Sequence, residues 1–182
     1  MNHLKLFTLS CVVFLYGCAS GAKFENMAYT EKAGIPFDKT LSNNIGVSGV
    51  SGGESTNPMW TSEISNEAFR EALKLSLSWQ KLLSETGRYQ LKVELVNVDQ
   101  PMFGLDLEVT TNVRYILTDT KNNKVVLDES VIVGFTATLS DALMAFERLR
   151  IANEGSSKAN IKGFIEKLSE LNLKEGEVSI AK

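Results

Sequence analysis

From Leu105 to Leu117, apolar and polar side chains alternate almost without a break. Leu105, Leu107, Val109, Val113, Tyr115 and Leu117 fall on one face. Asp106, Glu108, Thr110, Asn112 and Arg114 fall on the other, and Thr111 is the only break on the apolar side. A period of two is the signature of a half-buried strand. The fold must therefore hold a sheet with one dry face, and it must supply something to cover that face. The neighbouring segments extend the sheet. Tyr89, Leu91, Val93 and Leu95 alternate with polar residues, and Val96 and Val98 then reverse the phase, which predicts a bulge or twist. Asp119 to Asn123 reads as a turn, and Val125, Leu127, Val131, Val133 and Phe135 line a third strand interrupted by Glu129. Short connections predict an antiparallel meander with one wet face.

The cover comes from two helical patterns. Asn66 to Glu85 carries Phe69, Leu73, Leu77 and Leu83 near one stripe, widened by Ala68, Ala72, Leu75, Trp79 and Leu82. Ser65 is placed to cap it, and Gly87 to end it. A second helix is expected from Asp141 with Ser140 as its cap, its apolar side marked by Ala142, Phe146, Leu149, Phe164, Leu168 and Leu171. Its middle, Asn153 to Asn160, is polar and contains Gly155, so it either bends there or joins two helices; the lack of proline favours one largely continuous helix. Ile45 to Ser51 adds a short strand, and Gly52 to Thr61 a loop. The predicted order is strand, helix, three strands, helix. That is an α+β two-layer sandwich, mainly antiparallel, with both helices packed on one face. Residues 45–182 make one such domain. Apolar residues at 43% and charged residues at 23% are the composition of a globular chain.

The single histidine, His3, and both cysteines, Cys11 and Cys18, lie in the first 18 positions. Leu6 to Gly17 has no charge, follows Lys5, and is too short to span a bilayer. It ends in Leu15-Tyr16-Gly17-Cys18, which resembles the lipobox of bacterial lipoproteins, although Tyr16 is bulkier than the residue usual there. The resemblance implies a lipoprotein signal peptide over residues 1–17 and a thioether-linked diacylglycerol on Cys18. Ala19, in place of aspartate, implies export to the outer membrane. Residues 18–44, with no clear period, are expected to form the lipidated N-terminus and a tether, with local packing of Tyr29, Ile35 and Phe37. A flexible tether of that length would reach on the order of 30 Å.

Removing the leader leaves no histidine and no free thiol. A triad with an imidazole base, an ordinary zinc site and a disulfide framework are then excluded. No metal, no cofactor and no catalytic residue are expected. The net charge of −3 gives nucleic acid no electrostatic footprint.

Few other residues suggest chemistry. Gly46, Gly49, Gly52 and Gly53 do not match a phosphate-binding loop. Asp106 and Glu108 share a strand face about 7 Å apart, as carboxylates on a wet face do. Arg148, Arg150, Asn153 and Glu154 crowd two helical turns beside Gly155. Arginine forks at this spacing could hold a carboxylate or a phosphate, for instance on a lipid head group. The competing assignment is a buried polar network that fixes the helix to the glycine-rich loop. Trp60, with Met59 and Pro58, either offers a partner contact or folds back on the core.

The lipobox, the tether and the element order together resemble the small envelope lipoproteins of Gram-negative bacteria. The order is similar to that of the lipopolysaccharide-assembly lipoprotein LptE and of lipid-transport auxiliaries such as PqiC. The segments TNPMWTSEISNEAF and RLRIANEGSSKANI look like those of an uncharacterised group of proteobacterial lipoproteins. The resemblance implies a noncatalytic, outer-membrane-anchored protein facing the periplasm. It would bind an envelope protein or lipid as an accessory of assembly or transport. A structural or stress-related lipoprotein, and an envelope enzyme working without histidine or cysteine, are the alternatives.

Overall fold

The computed structural model describes residues 20–31, 34, 36–57, 61–174 and 177–180, beyond Leu173 by backbone alone. A short helix α1 (Phe24–Met27) and a 3₁₀ turn (Lys39–Leu41) precede β1 (Ile45–Ser51). Then come α2 (Asn66–Trp79), β2 (Tyr89–Asp99), β3 (Leu107–Asp119), β4 (Lys124–Ala137), α3 (Ala145–Ser169), β5 (Leu171–Lys174) and β6 (Glu177–Ile180). The first four strands form one sheet in the order β1-β2-β3-β4. β2, β3 and β4 are the antiparallel meander expected, while β1 runs parallel to β2 through the α2 crossover. The sheet is thus mixed, and the fold is an α+β two-layer sandwich. β5 and β6 form a separate hairpin, which the predicted order lacks although Leu171, Leu173, Val178 and Ile180 alternate with polar residues.

In β2 and β3 the periodicity translates directly into burial; in β4 Val125, expected on the covered face, is exposed and Val126 is buried, at the register shift opposite Leu117 and Thr118. Tyr89, Leu91, Val93 and Leu95 of β2, and Leu107, Val109, Val113, Tyr115 and Leu117 of β3, are buried on the covered face. Lys92, Glu94, Glu108 and Arg114 are exposed on the other. The phase reversal at Val96 is a register shift between Leu95 and Asn97. Leu105 does not join β3; it is exposed before the strand begins. α2 packs on β1, and α3 on β3 and β4. Phe69, Leu73 and Leu77 from α2 meet Ile161, Phe164 and Leu168 from α3 in one core.

Both helix boundaries move. Ser65 caps α2 as predicted, its hydroxyl accepting from the Ala68 N–H at 3.1 Å. The helix stops at Trp79 rather than Glu85, because Lys81 turns left-handed (φ 59°) and the Leu82 N–H returns to the Leu77 carbonyl. Leu82 and Leu83 then leave the helix to meet Ile45. α3 begins at Ala145 rather than Asp141. Ser140 does not cap it, since the Asp141 carboxylate closes a loop by accepting from the Thr138 N–H and hydroxyl. Beyond that start α3 is continuous over 25 residues, and Leu171 belongs to β5 instead.

The tether expected over residues 18–44 is corrected where the structure describes it. Ala22, Met27, Ala28, Tyr29 and Leu41 are buried in the main core, and Phe37 packs against it; Ile35 lies outside the described residues. α1 sits against both α2 and α3. The Tyr29 N–H donates to Ser76 Oγ, and the Leu173 N–H to the Asp38 carboxylate. The segment has no period because it forms almost no regular structure; its apolar side chains are buried one by one.

The polar middle of α3 faces the sheet. Asn153, Ser156, Ser157 and Asn160 are fully buried. Small side chains let the helix approach closely. A Cβ on Gly155 would lie 2.4 Å from the Phe135 ring, so a larger residue there must displace β4's side chain. Thr111, the lone polar residue on the apolar strand face, meets this stripe. Ser156 Oγ accepts from the Thr111 N–H at 3.1 Å and donates to the Val133 carbonyl at 2.8 Å, and Thr111 and Val133 lie opposite each other in the β3–β4 ladder. One hydroxyl bridges two strands.

The far end of the meander is held by an ion pair. Arg88 Nε donates to Asp119 at 2.6 Å, and a second guanidinium nitrogen reaches the other carboxylate oxygen. This bond lowers the Asp119 pKa below its ordinary value; partial burial opposes it and the Lys121 N–H supports it. A depressed folded pKa gives stability that is present above the unfolded value and lost as pH falls through the folded one. Stability should therefore decline below about pH 4. Asp119→Asn should lower stability at neutral pH and flatten that acid limb, as read by urea melts across pH.

Candidate functional site

Arg148, Arg150, Asn153 and Glu154 all lie on the first half of α3, and the structure brings them together with groups distant in sequence. The Glu154 carboxylate accepts from the Lys23 N–H at 3.0 Å, from Asn26 Nδ2 at 2.9 Å and from Arg150 at 2.9 Å. It thereby pins α1 to α3. Asn153 Nδ2 donates to the Ser62 carbonyl at 2.8 Å, while its Oδ1 accepts from Gln100 Nε2 at 3.0 Å. Gln100 also donates to the Ser62 carbonyl and to Glu63. The Ser62 hydroxyl donates to the Ser20 carbonyl at 2.8 Å, and the Ala22 N–H to the Glu63 carbonyl. One polar network thus ties the start of the described chain, the segment after the glycine-rich loop, the end of β2 and α3.

Arg148 is buried, and its fork meets main-chain oxygens. One nitrogen donates to the Ala142 and Leu143 carbonyls at 2.9 and 2.7 Å, and another to the Gly104 carbonyl at 3.4 Å. A guanidinium used this way joins the β2–β3 connection to the β4–α3 connection. The partners found for all four residues are protein groups, which is the geometry of a fixing network. Cys18 and Trp60 lie outside the described residues. Sequence reasoning missed Ser20, Lys23, Asn26, Ser62 and Gln100. None carries a spacing signal, because three of these contacts use main-chain atoms that any residue has.

Among the described residues, three clefts open beside the network. One of about 320 Å³ is lined by Gly52, Glu54, Glu63 and the end of β2. Two smaller ones, of about 240 and 280 Å³, lie around Pro101 and Met102 against Leu149 and Phe146. Asp106 and Glu108 show no convergence on a shared partner. Among the described residues, no three His, Cys, Asp or Glu side chains are placed to hold a metal. No helix among them is long and apolar enough to cross a membrane.

No family model matches the chain, and no curated protein does. Its similarities are to solved structures. A Xanthomonas campestris protein of the DUF330 family superposes with a TM-score of 0.58 over 80% of this chain and 91% of its own, at 10% identity. A hypothetical protein of Chlamydia trachomatis gives 0.53 over 70% and 96%, also at 10% identity. A candidate lipoprotein of Caulobacter crescentus gives 0.50 over 71% and 90%, at 18% identity. Identities this low establish a shared fold.

Proposed function

We propose that the protein is a lipid-anchored lipoprotein of the outer membrane, facing the periplasm. It acts there as a noncatalytic binding or accessory component of envelope assembly or transport. The observation that carries this reading is Leu15-Tyr16-Gly17-Cys18, placed two residues before a chain that is docked on the domain from Ser20 onward. The fold shared with the Caulobacter candidate lipoprotein supports it. Acyl chains contribute about 0.8 kcal/mol per buried CH₂, so two or more make a stable anchor. The network around Asn153 and Glu154 supports a role in holding shape rather than in turning over a substrate.

Cys18→Ala is the test. Cells making the natural chain should incorporate labelled palmitate into it and recover it with outer membranes. The variant should take up no label and persist as the uncleaved precursor. Label retained by the variant would move the anchor elsewhere. For the binding role, crosslinking in intact cells should trap one recurring protein or lipid; a deletion strain with normal barrier and transport would instead favour a purely structural role.

A further inference from the structure

We propose that the β2–β3 and β4–α3 connections form a second, noncovalent contact with the bilayer that carries the lipid anchor. This rests on acylation of Cys18. Met102, Phe103 and Leu105 are 95%, 88% and 71% exposed in the first connection, and Leu143, Met144 and Leu139 are 85%, 54% and 43% exposed in the second. Single exposed apolar residues are ordinary, but a contiguous cluster marks a contact surface. These two connections are one surface, because the buried Arg148 guanidinium holds the Gly104 carbonyl of one and the Ala142 and Leu143 carbonyls of the other. A cleft of about 280 Å³ lies between the first connection and the start of α3, from Met102 and Phe103 to Phe146.

The anchor selects the occupant. Ser20 is bound to Ser62, and the Ser62 carbonyl to Gln100, which directly precedes Pro101 and Met102. Cys18 is two residues from Ser20, and each residue spans at most about 3.6 Å. Ser20 therefore lies beside the apolar tips, at the end of the sheet opposite the β3–β4 turn, and an anchor two residues before it brings that end to the bilayer. No lysine or arginine lies within the tips; the exposed charges in and beside them, Asp99, Asp106, Glu108 and Asp141, are all acidic. Such a surface enters the head-group boundary through apolar burial, without needing anionic lipid.

Cys11 leaves with the leader and Cys18 is acylated, so an introduced cysteine is the only free thiol. Phe103→Cys, Leu143→Cys and, at the far turn, Lys121→Cys are each labelled with an environment-sensitive fluorophore. The full palmitoylated protein is then placed in phosphatidylethanolamine–phosphatidylglycerol vesicles with and without nitroxide lipid. The labels at 103 and 143 should shift to the blue and lose emission to the nitroxide, at low and high salt alike, while the label at 121 does neither. Aqueous emission at 103 and 143 in protein that carries palmitate overturns the contact. So does blue-shifted emission that the nitroxide cannot quench, which would mean cover by a second copy or another protein. Absence of palmitate from Cys18 overturns the anchor and this contact with it, and the labelling assay distinguishes that failure from the other two. Thermal melts check folding; all three side chains are exposed, so the melts should match the natural chain.

Discussion

Asn160→Leu should destabilise the protein by about 3–5 kcal/mol, a fifth or more of a typical domain's stability. Asn160 is fully buried and uses both ends of its amide. Its Oδ1 accepts from the Tyr115 hydroxyl at 2.8 Å. Its Nδ2 donates to the Val131 carbonyl at 2.8 Å, and to the Thr111 carbonyl and hydroxyl at 3.1 Å. Leucine fills the same space and strands these groups. Tyr115 cannot recover its loss from solvent. It is fully buried, its ring stacks on Phe164 with centroids 4.1 Å apart, and burial pushes its phenol well above the usual tyrosine range. The proton thus stays on the oxygen and needs an acceptor. Tyr115→Phe in the same chain removes that need. The double variant should be less damaged than the two single losses combined, by about 1–2 kcal/mol. Urea melts of the four proteins measure this. A loss below about 1 kcal/mol for Asn160→Leu would mean the network is not what holds α3 down.

Glu154→Ala should cost about 2–4 kcal/mol, less than a fully enclosed pair would, because Arg150 is partly solvated. The change removes the acceptor shared by Lys23, Asn26 and Arg150. Its effect should be concentrated in one place. Hydrogen exchange at the amides of Ala22, Lys23 and Tyr29 should accelerate far more than exchange in β3, since those amides depend on the docked segment. Glu154→Gln, which keeps one acceptor oxygen, should lose less. Equal protection of residues 22–29 in the alanine variant would show that apolar burial of Met27 and Tyr29 is enough to hold them.

The strands β2 and β3 were the most legible part of the chain, since their alternation reports burial directly and the phase reversal at Val96 and Val98 reports the bulge. α2 was legible through Ser65 and its apolar stripe. α3 was legible only in part. Phe164 and Leu168 signal a helix in the ordinary way, but the face that meets the sheet is built from Gly155, Ser156 and Asn160, which hydropathy reads as solvent. The docked N-terminal segment was illegible for a different reason. Met27, Tyr29 and Leu41 are buried without a repeat, so only the finished surface shows where they fit. Of the site, the crowding of Arg148, Arg150, Asn153 and Glu154 was visible. Their partners were not, because Ser62, Gly104 and Leu143 contribute carbonyl oxygens that no side chain advertises.

The hydroxyl of Ser156 and the amide of Asn160 grip the ladder at fixed points on β3 and β4: Thr111 on one strand, Val131 and Val133 on the other. A helix covered in leucine would settle on those strands in several alignments. This one cannot. A slip of one residue turns every side chain to the opposite face and shifts each carbonyl by about 3.4 Å. α3 therefore fits one pairing of the two strands beneath it, and a slipped pairing would forfeit these bonds.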